Sequence, residues 1–376
     1  MIPRTCKIEQ FFGQWESAVD YVACASDVDG YRMRELLDLA DAESLALWEG
    51  LELGYTDTLG HPLLREAIAG QYVTTAADGI TVCGGGAVEA LFLIANALLG
   101  PGDHAVVIWP AFEALHRLAP ALGAELTPIA LRSEGDGWRL DIDAVRHAFR
   151  PNTRALFINF PHNPTGALPG RSEFEALVAL GTDAGVTVVS DEVYRGLELE
   201  PGAMLPAACD LEEQAVSVGV MSKAYALAGL RVGWMATRNK TLSDAARTLK
   251  DYTTVCAAAP AEILSLIALR ARDHLIARSK RIILENLTLA ESFFRQYPDA
   301  FAWERPRAGM VAFPRLLPPA PVDDFVRDLV REEGVLLLPD RVFDMDDNRF
   351  RIGFGRSSLP LALDRMAAFL DRQGRA

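Results

Sequence analysis

The segment VGVMSKAY, residues 218–225, places a lysine directly after an apolar run that is typical of a buried strand. Lys223 is flanked by the small residues Ser222 and Ala224, so a bound carbonyl compound can reach its amino group without steric hindrance. Arg231 follows eight residues later, beyond a glycine-containing turn, from which it can fold back and bind a phosphate. Together these residues suggest a lysine that forms a Schiff base with pyridoxal phosphate (PLP).

Three further segments support this interpretation. They carry a turn sequence, the end of an apolar strand and a glycine run, and they read NFPHNPTG at residues 159–166, VVSDEVY at 188–194 and VCGGGAVEAL at 82–91. Asp191 lies 28 residues after Asn163, and Tyr194 lies three residues after Asp191. Read with Lys223, these segments resemble the class I and II aminotransferases, which are fold-type-I PLP-dependent enzymes, over roughly residues 50–360.

The resemblance implies roles for five residues around the cofactor ring. Lys223 would form the Schiff base and then take the Cα proton of the substrate as a general base. Asp191 would keep the pyridine nitrogen protonated, because a carboxylate close to that nitrogen favours its charged form. Asn163 and Tyr194 would donate hydrogen bonds to the 3′ oxygen of the ring, and Phe112 would stack on the ring. The candidate catalytic residues are therefore Lys223, Asp191 and Tyr194.

The cofactor phosphate needs backbone N–H groups and positive charge, which a glycine run at the start of a helix supplies. The resemblance assigns the phosphate to the backbone of Gly86, Ala87 and Val88 and to the side chains of Ser222 and Arg231. Val88 and Val220 stand where many members of the family have a hydroxyl residue. These departures leave more of the phosphate binding to backbone groups, Ser222 and Arg231.

An amino acid substrate needs a cation for its α-carboxylate, and the segment RFRIGF at residues 349–354 offers two arginines. Residues two apart on a strand share a face, so spacing alone does not separate Arg349 from Arg351. The family resemblance favours Arg351, with Asn163 as a further substrate contact. Gly30 matches an N-terminal glycine whose N–H group would also meet the carboxylate.

The segment LGYTDTLGHPLLR, residues 53–65, resembles a family segment in which a tyrosine reaches the phosphate of the neighbouring subunit's cofactor. Tyr55 occupies that position. The resemblance therefore implies a homodimer in which the two subunits share their active sites.

The composition excludes several classes of partner. The chain has 376 residues, half of them apolar, and a formal net charge of −14, which disfavours nucleic acid and anionic membranes as partners. We expect neither a membrane span nor a signal peptide. Five scattered cysteines without a CxxC motif indicate reduced thiols in a cytoplasmic protein, and six histidines without ligand spacing predict no metal site.

The order of apolar segments predicts an α/β fold, with a mostly parallel sheet flanked by helices. Strands are predicted at 105–108, 155–158, 186–189 and 214–220, with helices between them. The predicted domains are an N-terminal arm (1–45) that packs with the small domain, a large PLP-binding domain (46–255) and a small α/β domain (256–376). Functional residues are expected at the carboxyl ends of the strands.

The predicted reaction moves an amino group between an L-amino acid and a 2-oxo acid through a Schiff base on Lys223. Other stretches, including SKAY at 222–225 and RVF at 341–343, resemble a branch of the family that includes capreomycidine synthase. A cyclase, eliminase or oxidase that acts on an arginine-like amino acid is therefore the alternative. A PLP-binding regulator without catalysis is disfavoured, because such regulators usually carry a basic DNA-binding module and none is evident.

Overall fold

The computed structural model of the protein describes residues 6–135 and 137–374. Its strands are β1 (Tyr21–Val22), β2 (Ile80–Cys83), β3 (His104–Trp109), β4 (Glu125–Ala130), β5 (Arg132–Ser133), β6 (Trp138–Arg139), β7 (Thr153–Asn159), β8 (Thr187–Asp191), β9 (Val216–Val220), β10 (Gly233–Thr237), β11 (Phe301–Ala302), β12 (Val311–Ala312), β13 (Arg315–Leu316), β14 (Val335–Leu336), β15 (Leu338–Pro339) and β16 (Phe350–Gly353). Its helices are α1 (Lys7–Trp15), α2 (Met33–Leu37), α3 (Ala42–Glu49), α4 (Pro62–Ala69), α5 (Ala87–Leu98), α6 (Glu113–Ala121), α7 (Ile142–Ala148), α8 (Arg171–Asp183), α9 (Ala208–Leu211), α10 (Lys240–Lys250), α11 (Ala259–Arg270), α12 (Arg272–Gln296), α13 (Val322–Glu333) and α14 (Leu359–Arg372).

The centre of the molecule is a seven-stranded sheet in the order β2-β10-β9-β8-β7-β3-β4. Strand β10 runs antiparallel to both of its neighbours, and the other neighbouring pairs are parallel. Every residue of β2, β9 and β10 is buried, as the continuous apolar runs predict for strands that are covered on both faces. The predicted α/β fold with a mostly parallel sheet is confirmed.

The register of the sheet brings three chain segments to one edge. Asn159 at the end of β7 is paired with Asp191 at the end of β8, and Asp191 is paired with Val218 near the end of β9. The loops that follow these strands carry Asn163, Tyr194 and Lys223. Because parallel strands end at the same edge of a sheet, residues that are far apart in sequence become neighbours there.

The C-terminal part of the chain forms a three-stranded sheet, β12-β16-β15, and two-stranded pairs. The arm joins this part, because β1 pairs with β14 and the N–H group of Gly353 donates to the carbonyl of Ala23 over 2.8 Å. The arm also contacts the domain that contains the large sheet, because the N–H group of Ile8 donates to Glu113 of α6 over 2.9 Å. Residues 1–5 and 375–376 of the predicted domains lie outside the described residues.

The predicted small domain begins at residue 256, just before helix α11. This helix nevertheless packs against α3 and α4, which precede that boundary in the chain. Almost all of this helix is buried, from Ala259 to Leu269, so it needs apolar neighbours on nearly every face. Since one apolar cluster contains buried residues of the arm, of α4 and β2, and of the C-terminal part, the domains share a core. The division into domains stays a prediction.

Among the described residues, no helix is both long and apolar enough to cross a membrane. In the same residues, no group of three or more histidine, cysteine, aspartate or glutamate side chains is arranged to hold a metal ion. The five cysteines, which all lie in the described ranges, are unpaired.

Candidate active site

A cavity of about 250 Å³ opens at the carboxyl edge of the large sheet. Its walls come from the strand-end loops, the start of α5, the arm and strand β16. It brings together most of the predicted site residues, namely Ala87, Val88, Phe112, Asn163, Asp191, Tyr194, Ser222, Lys223, Arg231 and Arg351.

Lys223 lies in the turn after β9 and is held by the arm. Its Nζ donates to the carbonyl oxygen of Ser26 over 2.8 Å and to Oγ of the same residue over 3.1 Å. Burial lowers the pKa of Lys223 to about 8; the charge of Asp27 opposes this shift, and the charge of Arg351 reinforces it. A lysine with this pKa is partly neutral near neutral pH, so its amine can act as a nucleophile and as a base.

Asp191 ends β8 and is 5% exposed. Its Oδ1 accepts a hydrogen bond from the N–H group of Val193 over 3.1 Å, and no ion pair with a described residue neutralises it. Burial raises the pKa of Asp191 to about 6, Val193 and Lys223 oppose that shift, and Glu192 adds to it. A buried carboxylate that lines a cavity without a cationic partner fits the protonated ring nitrogen of PLP.

A chain of hydrogen bonds joins the strand ends to the substrate side of the cavity. Asn159 donates to the backbone oxygen of Asp191 over 2.8 Å and accepts from the N–H group of Asn163 over 2.9 Å. Arg351 donates from Nη1 to Oδ1 of Asn163 over 3.1 Å and from Nε to the carbonyl of Cys24 over 3.0 Å. These bonds fix the position of the guanidinium relative to the sheet.

Arg351 is 2% exposed, and burial lowers its pKa. No carboxylate of the described residues forms an ion pair with it, and its Nη2 makes no hydrogen bond within that part of the chain. A buried guanidinium costs free energy unless it is paired, so this one fits a ligand carboxylate.

The neighbouring arginine has a different environment. Arg349 donates from Nη1 to Glu304 over 2.7 Å and to the carbonyl of Phe313 over 2.8 Å, and it stacks on Trp138 at 4.6 Å. It does not line the cavity. Of the two arginines that spacing could not separate, only Arg351 lies at the cavity.

Helix α5 begins at the cavity with N–H groups that have no partner within the helix. Arg231 approaches this end, and its Nη2 donates to the carbonyl of Gly85 over 3.1 Å. Gly86 has a φ of +79°, and a Cβ there would lie 3.1 Å from Nη2 of Arg231. A Cβ on Gly233 would lie 2.6 Å from the nitrogen of Ala87, so glycine is required for this close approach.

The end of α5 and Arg231 form a cradle for an anion, because unpaired N–H groups and a guanidinium face the same space. Ser222 is the hydroxyl residue of this region that lines the cavity, and Val88 and Val220 also line it. The cradle fits the phosphate of PLP. Val88 and Val220, which stand where many members of the family have a hydroxyl residue, lie at this cavity and offer no hydroxyl to the phosphate.

Two aromatic residues, Tyr194 and Phe112, line the part of the cavity that would hold the pyridine ring of PLP. The hydroxyl of Tyr194 donates to the carbonyl of Ser26 over 3.2 Å, and its ring lies 5.8 Å from Nζ of Lys223. Burial raises the pKa of Tyr194, so its hydroxyl stays protonated and remains a donor. Phe112 immediately precedes α6 and also lines the cavity.

Three predicted residues are not among those that line the cavity. Gly86 directly precedes the first lining residue of α5. Tyr55 is 93% exposed, and its predicted role in a neighbouring subunit stays a prediction. Gly30 is exposed and does not line the cavity, and its contact with the substrate carboxylate stays a prediction.

The arm supplies lining residues that the sequence did not reveal: Ile8, Glu9, Phe12, Ser26 and Asp27. Ser26 and Asp27 precede the predicted contact residue Gly30 by four and three residues. Backbone hydrogen bonds hold this part of the arm against the end of β16 and the residues that follow it. The N–H group of Gly353 donates to the carbonyl of Ala23, and the N–H group of Asp29 donates to the carbonyl of Gly355. The acidic pair in DVDG, residues 27–30, was the one signal that could have pointed to Asp27.

The family model for class I and II aminotransferases matches residues 26–362. The chain therefore belongs to the class I and II aminotransferase family and is a PLP-dependent enzyme. The anion cradle, the buried Asp191 and the partly neutral Lys223 fit that cofactor.

Among individual proteins, capreomycidine synthase of Streptomyces vinaceus is 34% identical over 342 residues, which are 88% of this chain and 84% of that protein. A PLP-dependent aminotransferase from Streptococcus suis 89-1591 is 28% identical and has a TM-score of 0.92 over 99% of both chains. The PLP-dependent cyclase OrfR is 26% identical, with a TM-score of 0.90 over 99% of this chain and 98% of that chain. The neighbours thus include both an aminotransferase and a cyclase.

Proposed function

We propose that the protein is an aminotransferase that moves the amino group of an L-amino acid to a 2-oxo acid. One observation carries this proposal: the amine of Lys223 and the unpaired guanidinium of Arg351 line the same cavity. A lysine that forms a Schiff base and a cation that binds a carboxylate suit a substrate with an amino or oxo group next to its carboxylate, which is an α-amino acid or a 2-oxo acid. This pairing of groups supports a reaction at the amino acid Cα.

In the proposed reaction, PLP supplies an electron-withdrawing ring that makes the Cα proton of an attached amino acid acidic. Arg231, Ser222 and the first N–H groups of α5 would hold its phosphate, and Asp191 would hold its ring nitrogen. Arg351 would bind the α-carboxylate through a planar pair of donors. Lys223, whose pKa of about 8 leaves some neutral amine at neutral pH, would take the Cα proton and return it.

The proposal is tested with the holoenzyme, an amino acid labelled with ¹⁵N in its α-amino group and an unlabelled 2-oxo acid. We expect the label in the amino acid that forms from the 2-oxo acid, and no more than one equivalent of oxo product per active site when the oxo acid is omitted. Release of labelled ammonia in the absence of the oxo acid would contradict the proposal.

A second candidate is a cyclase, eliminase or oxidase reaction on an arginine-like amino acid. It is favoured by the similarity to capreomycidine synthase over 88% of the chain and to the cyclase OrfR. Such a reaction needs no 2-oxo acid as acceptor. Mass spectrometry of the same mixture without acceptor separates the two candidates, because only the second then converts more than one equivalent of amino acid per active site.

We also propose a homodimer with shared active sites. Tyr55 and its neighbour Leu53 are 93% and 85% exposed, and Tyr252 is 86% exposed, which is unusual for large side chains unless another surface covers them. Tyr55 would reach the phosphate of the other subunit's cofactor. The unpaired cysteines support a reducing, cytoplasmic location for this dimer.

A further inference from the structure

Helix α1 of the arm forms one wall of the cavity. Ile8, Glu9 and Phe12 line it, and these positions lie on one face of a helix because their spacing is one, three and four residues. The rest of the wall includes the ten predicted site residues named above, whose proposed roles are toward the cofactor or the α-carboxylate, whereas the three residues of α1 have no such role. The wall formed by α1 therefore lies where a substrate side chain remains to be recognised.

Several contacts hold α1 over the cavity. Glu113 of α6 accepts hydrogen bonds from the N–H group of Ile8 over 2.9 Å and from the thiol of Cys6 over 2.8 Å. Lys7 forms an ion pair with Asp344, and Ile8 is only 3% exposed. Glu9 follows these anchors directly, so the backbone that carries its side chain has a defined position.

The cations of this chain that line the cavity are Lys223, Arg231 and Arg351. Each has a proposed partner, which is the cofactor carbonyl, the cofactor phosphate and the substrate α-carboxylate, respectively. Among the described residues, no further cation of this cavity is left for a carboxylate at the end of a substrate side chain. A dicarboxylic amino acid would leave that charge unpaired.

The acidic residues that line the cavity are Glu9, Asp27 and Asp191. Asp191 has the ring nitrogen as its proposed partner, and Asp27 forms an ion pair with Arg356 at 2.8 and 2.9 Å. The carboxylate of Glu9 has neither an ion pair nor a hydrogen bond within the described part of the chain. It is the charge at this cavity that has no partner in the proposed complex.

Glu9 lies on the substrate side of the cavity. Burial lowers the pKa of Arg351, and Glu9 is among the acidic groups that act against this shift, so its charge reaches the guanidinium that would bind the α-carboxylate. An amino acid held at Arg351 with its side chain toward α1 would meet a negative charge. That charge attracts a cationic side chain and repels an anionic one.

We infer that Glu9 is a specificity-determining residue that selects amino acids whose side chains end in a cation, either an ammonium or a guanidinium. The inference rests on the proposed function, because it names the substrate class of the same site. Glu9 acts on binding and not on proton transfer, so its removal changes KM for cationic substrates more than kcat.

The experiment compares L-arginine with L-citrulline, which has a neutral urea group at the same position, and L-lysine with L-norleucine. In the Glu9→Gln holoenzyme, we expect kcat/KM to fall about tenfold for L-arginine and L-lysine, mainly through KM, and to change less than about twofold for the neutral partners. The larger of the two losses identifies the preferred cation. Glu16→Gln removes the same charge from the exposed residue that directly follows α1, outside the cavity, and should change none of the four values.

Equal losses for the cationic and neutral partners, or no loss for the cationic ones, would overturn the inference. It is also wrong if the wild-type enzyme prefers neutral or dicarboxylic amino acids, and in that case the proposed function still stands. An absence of reaction with every amino acid would refute the proposed function and the inference with it.

Discussion

The two sides of the cavity are built in different ways. On the cofactor side, Asp191 and Lys223 follow adjacent buried strands, so the seven-stranded sheet sets their positions. On the opposite side, Glu9 and Ser26 belong to the arm, which is held by a two-residue strand, by polar contacts and by apolar residues buried in the shared core. We therefore propose that the sheet places the residues of the reaction chemistry, whereas the arm contributes to substrate selection.

Ser26 of the arm contacts two residues of the cofactor side. The carbonyl oxygen of Ser26 accepts hydrogen bonds from Lys223 over 2.8 Å and from Tyr194 over 3.2 Å. The arm therefore also orients groups of the cofactor side. Substitutions on each side separate the two contributions.

The largest effect is expected for Lys223→Ala, because no other lysine lines the cavity within the described residues. Covalent attachment of PLP and turnover should both be lost, while the phosphate cradle still binds PLP without a covalent bond. Borohydride reduction of the wild-type holoenzyme followed by peptide mapping should find the label on Lys223 alone. A labelled peptide from another lysine would disprove the assignment.

Asp191→Asn should lower kcat by about 10²–10³, since an amide cannot supply the charge that holds the ring nitrogen protonated. Steady-state kinetics at saturating PLP measure this loss. Near-normal turnover would mean that another acid serves the ring.

The same substitution should stabilise the protein when PLP is removed. The pKa of Asp191 is raised to about 6, so the folded apoprotein loses stability relative to the amide variant as the pH rises from about 4 to 6, and the deficit persists above that range. Urea unfolding at pH 7.5 should show a gain on the order of 2–3 kcal/mol, which disappears near pH 4. The holoenzyme, in which the carboxylate would be paired, should show no such gain.

On the substrate side, Arg351→Lys should raise KM by about 100-fold and leave the visible spectrum of the bound cofactor unchanged. Lysine keeps the charge but lacks the planar donors, and it cannot reproduce the bonds to Cys24 and Asn163. Arg349→Lys is the matched control, because it breaks contacts with Glu304 and should lower thermal stability while KM stays the same. The reverse pattern would show that Arg349 binds the substrate.

The cofactor side could be predicted from the sequence because each of its residues stands in a short local pattern. Asp191 ends an apolar run, and Lys223 follows another, so strand prediction alone brings both to the edge of the sheet. Their pKa shifts and the bond from Asn159 to Asp191 depend on burial and on the register of the strands, which no local pattern specifies.

The arm could not be predicted in the same way. Glu9 and Ser26 reach the cavity through contacts with residues more than 100 positions away, such as Glu113 and Lys223. Such long-range contacts leave no periodicity in the arm itself. The family resemblance was therefore the basis for predicting Gly30 as a substrate contact, and Gly30 lies outside the cavity.

Tyr55→Phe tests whether the other subunit of the proposed dimer also contributes a residue to the active site. Losing one hydrogen bond to a charged phosphate should cost on the order of 1.5–3 kcal/mol, which corresponds to a loss of PLP affinity of about 10-fold to 150-fold. Val88 and Val220 offer no hydroxyl that could compensate. Equilibrium dialysis of the apoprotein with PLP measures the change.

A mixed dimer shows which subunit Tyr55 serves. If the sites are shared, a hybrid of Tyr55→Phe and Lys223→Ala chains has one site with both lesions and one with neither, so about half of the wild-type activity returns. A hybrid no more active than the parent variants would mean that Tyr55 acts within its own subunit.

The smallest effect is expected for Ser26→Ala, where the two sides of the cavity meet. The variant loses the Oγ acceptor at 3.1 Å from Lys223 but keeps the carbonyl at 2.8 Å. An acceptor stabilises the ammonium form, so its loss should lower the pKa of Lys223 further below its present value of about 8. Because only the neutral amine reacts with PLP, the rate at which apoprotein binds PLP covalently should rise with pH through this pKa, and its midpoint should lie at lower pH in the variant. Ser17→Ala, which is exposed elsewhere on the arm, should leave the midpoint in place. A Ser26→Ala profile that coincides with the wild type would show that the backbone of the arm, and not its side chain, orients the lysine.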